Sequence, residues 1–290
     1  MVKRDSQVNL VCQLIKRIEH ERRQVVIIGD SMIDRWVYGH IEKCQDNCQK
    51  LITDHVYMTP GGADNACNSL RNWSGINTNV YSYYSHNCSY SSSSEWRIVK
   101  TRFIVDDKIM FRWDEEVYPL QSSCEWKRRE AVEMIYFADG VLLSDYDKGF
   151  LLQEFIRVII DLCKSRGIPC VIDAKRRPGL YKGAILKYNE QYASKWKCKL
   201  GVCTQGHKPP IIGGGLPISR NLPPVECVNH VGAGDCFASH LTLALAYNFS
   251  LEEASIIAHS AGRVYVQYKC NQAPEVQEIV EDLDKESYAV

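Results

Sequence analysis

Apolar residues recur every three to four positions through residues 1–23, then become continuous in "QVVIIGD". The first pattern predicts an amphipathic helix, and the second a buried strand ending at Gly29 and Asp30. "HVYMTPGG" reads as a strand stopped by a turn, "ADNACNSLRNW" has helical spacing, and "NTNVYSYYS" returns to strand. A serine-rich loop, "SYSSSSE", precedes "WRIVKTRFIV" and "KIMFRWD", whose alternating apolar positions around Asp106 and Asp107 predict a hairpin. Helices over residues 124–138 and 150–166 then alternate with the strands "GVLLSD" and "IPCVIDA". Shorter strands follow at "GAILK" and "CKLGVCT", and the helices "GAGDCFASHLTLALA" and "LEEASIIAHSAGRVYVQY" close the pattern. Continuous apolar strands between helices imply an α/β fold with a central, mainly parallel sheet covered on both faces. The earlier alternating strands imply a smaller β layer beside it. Without an internal repeat or a linker, residues 1–290 read as a single domain.

Composition narrows the class. The chain is 45% hydrophobic and 24% charged, as globular proteins are. Lys plus Arg and Asp plus Glu each total 35, which gives no electrostatic case for nucleic acid or an anionic membrane. No apolar run reaches the roughly 18–20 residues of a membrane span, and the N-terminal pattern is amphipathic rather than that of a signal peptide. Thirteen cysteines is an odd number without a disulfide pattern. Cys170 and Cys203 lie in apolar strands, and the close pair Cys44 and Cys48 lacks the further ligands of a zinc site. A reducing, cytoplasmic setting is the expectation.

Candidate chemistry gathers at strand ends. Asp30, Asp34, Asp145, Asp173, Lys175, Asn189 and Thr204 follow predicted strands, where ligands of such sheets bind. In "NHVGAGDCF" a glycine turn feeds a helix start, offering free backbone N–H groups and the positive end of a helix dipole to an anion. Asp235 would repel that anion, unless it serves as a base for a hydroxyl that attacks a phosphate. It reads equally as an N-terminal acid favoured by the dipole. Gly61, Gly62 and Asn65 of "PGGADNACNSL", with Asp34, offer polar partners for sugar hydroxyls, or an ordinary strand-to-helix turn.

"GDSMIDRWVYG", "PGGADNACNSL", "LLSDYDKGFL", "VIDAKRRPGLYKGAILKYNE" and "VGAGDCFASHLTLALA" occur in one order. In this the chain resembles the ribokinase/PfkB family of carbohydrate kinases over roughly residues 24–275. Within the family it is most similar to the kinase domain of bacterial heptose-7-phosphate kinases. The resemblance implies a ribokinase-like Rossmann-type sandwich with a small β-sheet lid, built from strands within about residues 35–60 and 97–114. It implies ATP with Mg2+ and a sugar or sugar-phosphate acceptor. The acceptor would meet Asp34, Gly61, Gly62 and Asn65, with Lys100, Arg102 and Arg112 on its phosphate. Gly232, Ala233 and Gly234 would form the anion hole, with Asp235 the catalytic base. Thr204, Gly206 and His259 would border the nucleotide. Lys175 and Asn189 would face its phosphates, and Asn189 and Glu190 the metal's water shell. A homodimer through the lid is also implied. Alternatives are a kinase for another sugar or a nucleoside, and a catalytically silent sugar- or nucleotide-binding protein.

The chain departs from the family pattern at identifiable places. Asn-x-x-Glu becomes Asn189, Glu190, Gln191, Tyr192, and the last glycine of Thr-x-Gly-x-x-Gly becomes Pro209. Asp64 and His230 replace smaller residues. The segments before Trp96 and between Gln191 and Leu200 are short, which predicts a missing helix at each.

Overall fold

The computed structural model of the protein describes residues 8–44, 48–73, 78–84, 97–117, 124–176, 178–193, 196, 200–218 and 222–288. The serine-rich loop and most of the shortened segment after Gln191 lie outside them.

The strand β1 (Arg23–Gly29) shows how sequence makes the layers. Val25 and Ile27 point into one buried cluster, Val26 and Ile28 into the other, and all four are fully buried. A period of two with every position apolar is the mark of a strand covered on both faces. Beside it lie β4 (Thr78–Tyr84) and β7 (Gly140–Ser144), both parallel to it. The parallel series continues through β8 (Cys170–Asp173), β9 (Ile185–Asn189) and β10 (Gly201–Gln205). An antiparallel edge strand, β11 (Lys208–Ile212), completes the order β11-β10-β9-β8-β7-β1-β4.

One cluster is covered by α1 (Val8–His20), α2 (Ala63–Ser69), α5 (Ala233–Ala246), α6 (Leu251–Tyr265) and α7 (Val276–Tyr288). The other is covered by α3 (Glu125–Ile135) and α4 (Gln153–Arg166). The helix α6 starts on a capping box, in which Ser250 and Glu253 satisfy each other's backbone N–H. Buried Arg263 and Asp282 tie α6 to α7 with Nε–Oδ2 at 3.0 Å. Among the described residues no helix is long and apolar enough to cross a membrane.

The second sheet runs β3-β2-β5-β6, from β2 (Ser31–Lys43), β3 (Gln49–Gly62), β5 (Arg97–Val105) and β6 (Lys108–Val117). The expected hairpin forms: Asp106 and Asp107 both take positive φ, 48° and 59°, as a two-residue type I′ connection requires. This second sheet is larger than the expected strands within about residues 35–60 and 97–114, because β2 begins directly after Asp30 and β3 extends to Gly62. β11 and α7 are additional to the expected elements. α4 starts at Gln153 and α6 ends at Tyr265, inside the spans read from periodicity.

Candidate active site

The glycine turn enters α5 with Gly232 at φ +83°, a left-handed conformation that a side chain would strain. Space excludes a side chain as well, since a Cβ there would fall 2.4 Å from both Asn65 Nδ2 and Tyr265 Oη. At Gly234 a Cβ would fall 2.6 Å from the Lys187 ammonium. The turn is therefore packed between a polar cluster and a cation.

Asp235, in the first turn of α5, is 3% exposed. Its carboxylate does not cap the helix. Tyr146 Oη donates to Oδ1 at 2.6 Å, and Asn65 Nδ2 donates to Oδ2 at 3.0 Å. Burial, and then the charge of Asp173, push its pKa up to about 6 against those two bonds and Lys175. Asn65 cannot flip, because its Nδ2 faces two acceptors, Asp235 Oδ2 and Gly232 O, while its Oδ1 accepts from Tyr265 Oη at 3.2 Å.

Asp173, at the end of β8, is flanked by two ammonium groups. Lys187 Nζ lies 3.1 Å and Lys175 Nζ 3.4 Å from its Oδ1. Burial alone would raise this carboxyl, but the two lysines outweigh it and hold it below its ordinary value. Lys187 is completely buried, which depresses its own pKa, and Lys175 adds repulsion. Lys187, fully buried, and Lys175, half-buried, set two cations around one carboxylate beside the glycine turn, as an anion site needs.

On the lid side, Arg102 Nη1 lies 2.6 Å from Asp34 Oδ1, and Asn271 Nδ2 donates to Oδ2 at 3.0 Å. Lys100 and Arg102 are two apart on β5, so they share a face, and their cross-strand partners Asp114 and Arg112 join them there. Arg112 is paired with Asp114 at 2.5 Å. Gly61 sits under Asp34, where a Cβ would fall 2.6 Å from Oδ2. The ammonium of Lys100 stands 4.9 Å from the centre of the Tyr146 ring, and that of Lys175 5.1 Å. Tyr146 thus links the lid lysine, the sheet lysine and Asp235.

A cleft of about 1020 Å³ opens beside the turn. Lys175, Lys187, Asn189, Glu190, Thr204, Gly206 and His259 line it, with Val225, Phe237 and Val266 among its apolar walls. The residues expected at a nucleotide therefore share one cavity.

A protein-held magnesium ion does not fit this donor set. Asn189 Oδ1 accepts from Thr204 Oγ1 at 3.2 Å and faces Lys187 Nζ at 3.4 Å, so an ammonium already occupies its direction. Tyr192 stacks on Trp196, with ring centroids 4.4 Å apart, instead of supplying a carboxylate. Among the described residues no group of three or more His, Cys, Asp or Glu side chains could hold a metal.

Several site residues escaped the sequence reading: Tyr146, Lys187, Tyr265 and Asn271. Lys187 had a signal, as a lone lysine inside an apolar strand must have a partner. Asp30, read as a strand-end acid, accepts backbone N–H from Tyr146, Lys148 and Phe150, each at 3.0 Å.

Residues 194–278, which carry the glycine turn and α5, match the profile of the pfkB family carbohydrate kinase. Over these residues the chain is similar to the pfkB family carbohydrate kinases. Among curated proteins it is similar to the bifunctional protein HldE of Gluconobacter oxydans, 23% identical with 84% of this chain and 60% of the relative covered. HldE of Nitratiruptor sp. is 25% identical, over 90% and 65%. The chain thus spans somewhat under two thirds of the length of these relatives. The fold is shared with Arabidopsis thaliana ribokinase complexed with ribose and ATP, with a TM-score of 0.64 and 14% identity over 91% of this chain and 99% of that one. Escherichia coli phosphofructokinase-2 in complex with substrates and products gives 0.64 and 15%, over 92% and 100%.

Proposed function

We propose that the chain transfers the terminal phosphoryl group of ATP to a sugar hydroxyl, with a heptose 7-phosphate-like acceptor favoured. The observation that carries this reading is Asp235, a buried carboxylate between a cationic glycine turn on one side and a polar, lid-covered face on the other. In the proposed step Asp235 takes the hydroxyl proton while the hydroxyl oxygen bonds to the γ-phosphorus. The bond from that phosphorus to its bridging oxygen breaks, and ADP leaves. Backbone N–H groups at the start of α5, with Lys175 and Lys187, meet the developing charge. Three lid cations, Lys100, Arg102 and Arg112, against Asp34 and Asp114 favour an anionic acceptor. The similarity to the heptose-7-phosphate kinases supports the same choice.

Asp235→Asn is expected to lower kcat by roughly a hundredfold to ten-thousandfold while calorimetric ATP affinity stays nearly the same. Equal turnover would remove Asp235 as the base. One observation favours a second reading, in which the chain binds sugar or nucleotide without transfer. Tyr192 stands where the family pattern has a glutamate, and it stacks on Trp196 instead of offering a carboxylate. A panel of heptose 7-phosphate, fructose phosphate, free pentoses and nucleosides, scored by ADP release, separates the two. Calorimetric sugar binding with no ADP under any divalent ion would establish the silent reading, and strong activity on an unphosphorylated sugar would redirect the acceptor.

A further inference from the structure

The Asp235 carboxylate is held from both sides, and the Tyr146 side is the more elaborately built. The Tyr146 backbone N–H is fixed to Asp30 together with those of Lys148 and Phe150. Its ring lies against the Lys100 and Lys175 ammonium groups. Lys148 Nζ reaches Glu116 Oε1 of the lid at 2.5 Å, fastening the same loop at a further point. The hydroxyl therefore has little freedom, and its 2.6 Å bond to Asp235 Oδ1 has the length of a charge-assisted O–H···O contact. A base serves transfer only if its free lone pair faces the acceptor, and a base is commonly oriented by a third group.

Resting on the reading of Asp235 as the base, we propose that Tyr146 is a positioning residue for phosphoryl transfer. Its hydroxyl holds the Asp235 carboxylate in the plane that presents a lone pair to the acceptor hydroxyl. Asn65 holds the opposite oxygen. Tyr146 remains the donor of the pair: burial, then the charges of Asp235 and Asp173, push its phenol well above the ordinary value. The bond also favours the ionised form of Asp235, opposing the burial that pushes this group up to about 6. Besides Cys236 next to it, the charged or titratable groups facing Asp235 are Asp173 of β8, Lys175 beyond it, Lys187 of β9, Lys100 of the second sheet and Tyr265 of α6. Tyr146→Phe keeps the ring and leaves all five in place, so a change in Asp235 would follow from the lost bond.

The test is an infrared difference titration of the Asp235 carboxyl in the ligand-free protein, with the band assigned by its loss in Asp235→Asn. The native midpoint is expected near pH 6. It should rise by about half a pH unit or more in Tyr146→Phe. With 3-fluorotyrosine at position 146, a stronger donor of nearly the same shape, the midpoint should fall, which covers a phenylalanine variant that folds poorly. In turnover with ATP and heptose 7-phosphate, or the acceptor found by the panel, the acid limb of kcat should move with the midpoint while KM for ATP stays put. A midpoint unchanged in both variants overturns the proposal, as does an acid limb that ignores a moved midpoint. Inactivity of the native protein on every acceptor overturns the kinase reading alone, because the infrared midpoint is read without substrate.

Discussion

At the scale of single residues, the site is set by what surrounds Asp235 rather than by Asp235 itself. A carboxyl with a pKa of about 6 has opposite effects on activity and stability. In its proposed role as the base it would work ionised, so kcat should fall as pH drops through about 6. For stability, the folded state keeps a proton between about pH 4 and 6 that the unfolded chain releases, so this contribution is lost as pH rises. Asp235→Asn should therefore be more stable than the native chain at pH 8, by up to about 3 kcal/mol, and no more stable at pH 4. Denaturant melts at the two pH values check this, and equal differences at both would show that the buried charge is not the cause. Gly234→Ala addresses the other side. Its Cβ would fall 2.6 Å from Lys187 Nζ, so the ammonium must move away from the turn. ATP affinity should drop about tenfold with the fold retained, and an unchanged affinity would mean that Lys187 does not face the nucleotide. Glycine and aspartate were legible in "HVGAGD" because spacing alone marks a helix entry. Lys187 was not placed, because a one-dimensional pattern shows that a strand lysine needs a partner without showing which one.

At the scale of elements, the loop after β7 makes three of its backbone bonds to one carboxylate. Asp30, fully buried, accepts three backbone N–H bonds from residues 146–150, and its own N–H returns to Ser144. Asp30→Ala strips those donors of their partner, that of Phe150 inside the core and the other two in a half-buried setting. A stability loss of about 3–5 kcal/mol is expected in urea melts, with Tyr146 losing its fixed place. A loss below about 1 kcal/mol would mean that the loop holds itself by other contacts. The same contrast explains which elements could be read in advance. β1 and α5 are enclosed on all sides, so burial writes a continuous or periodic apolar signature into them. β3 is exposed along most of its length and carries no alternation, so only its second half, "HVYMTPGG", was read as a strand. α7 follows "NQAP" with modest apolar content, and its Ile279 and Leu283 make sense only against α1 and α6.

At the scale of the molecule, the four-stranded sheet has two faces with different demands. The face bearing Asp34, Lys100 and Arg102 closes on the site. Register places Arg35, Met58, Thr101, Phe103, Phe111 and Trp113 on the opposite face, away from it. There Met58 is 64%, Phe111 62% and Trp113 51% exposed. Apolar side chains this open on one side of a thin sheet are what association covers. A second copy meets the need without a new partner, because a two-fold axis sets like faces together. On this reading the chain should run in light scattering at twice its 33.1 kDa mass at micromolar concentration. The double variant Phe111→Glu, Trp113→Lys should run as a monomer, with ATP affinity near native because neither residue lines the nucleotide cleft. A native chain that stays monomeric across that range would remove lid pairing. Loss of acceptor turnover in the monomeric variant, with ATP binding intact, would show that pairing holds the lid in the position the acceptor requires.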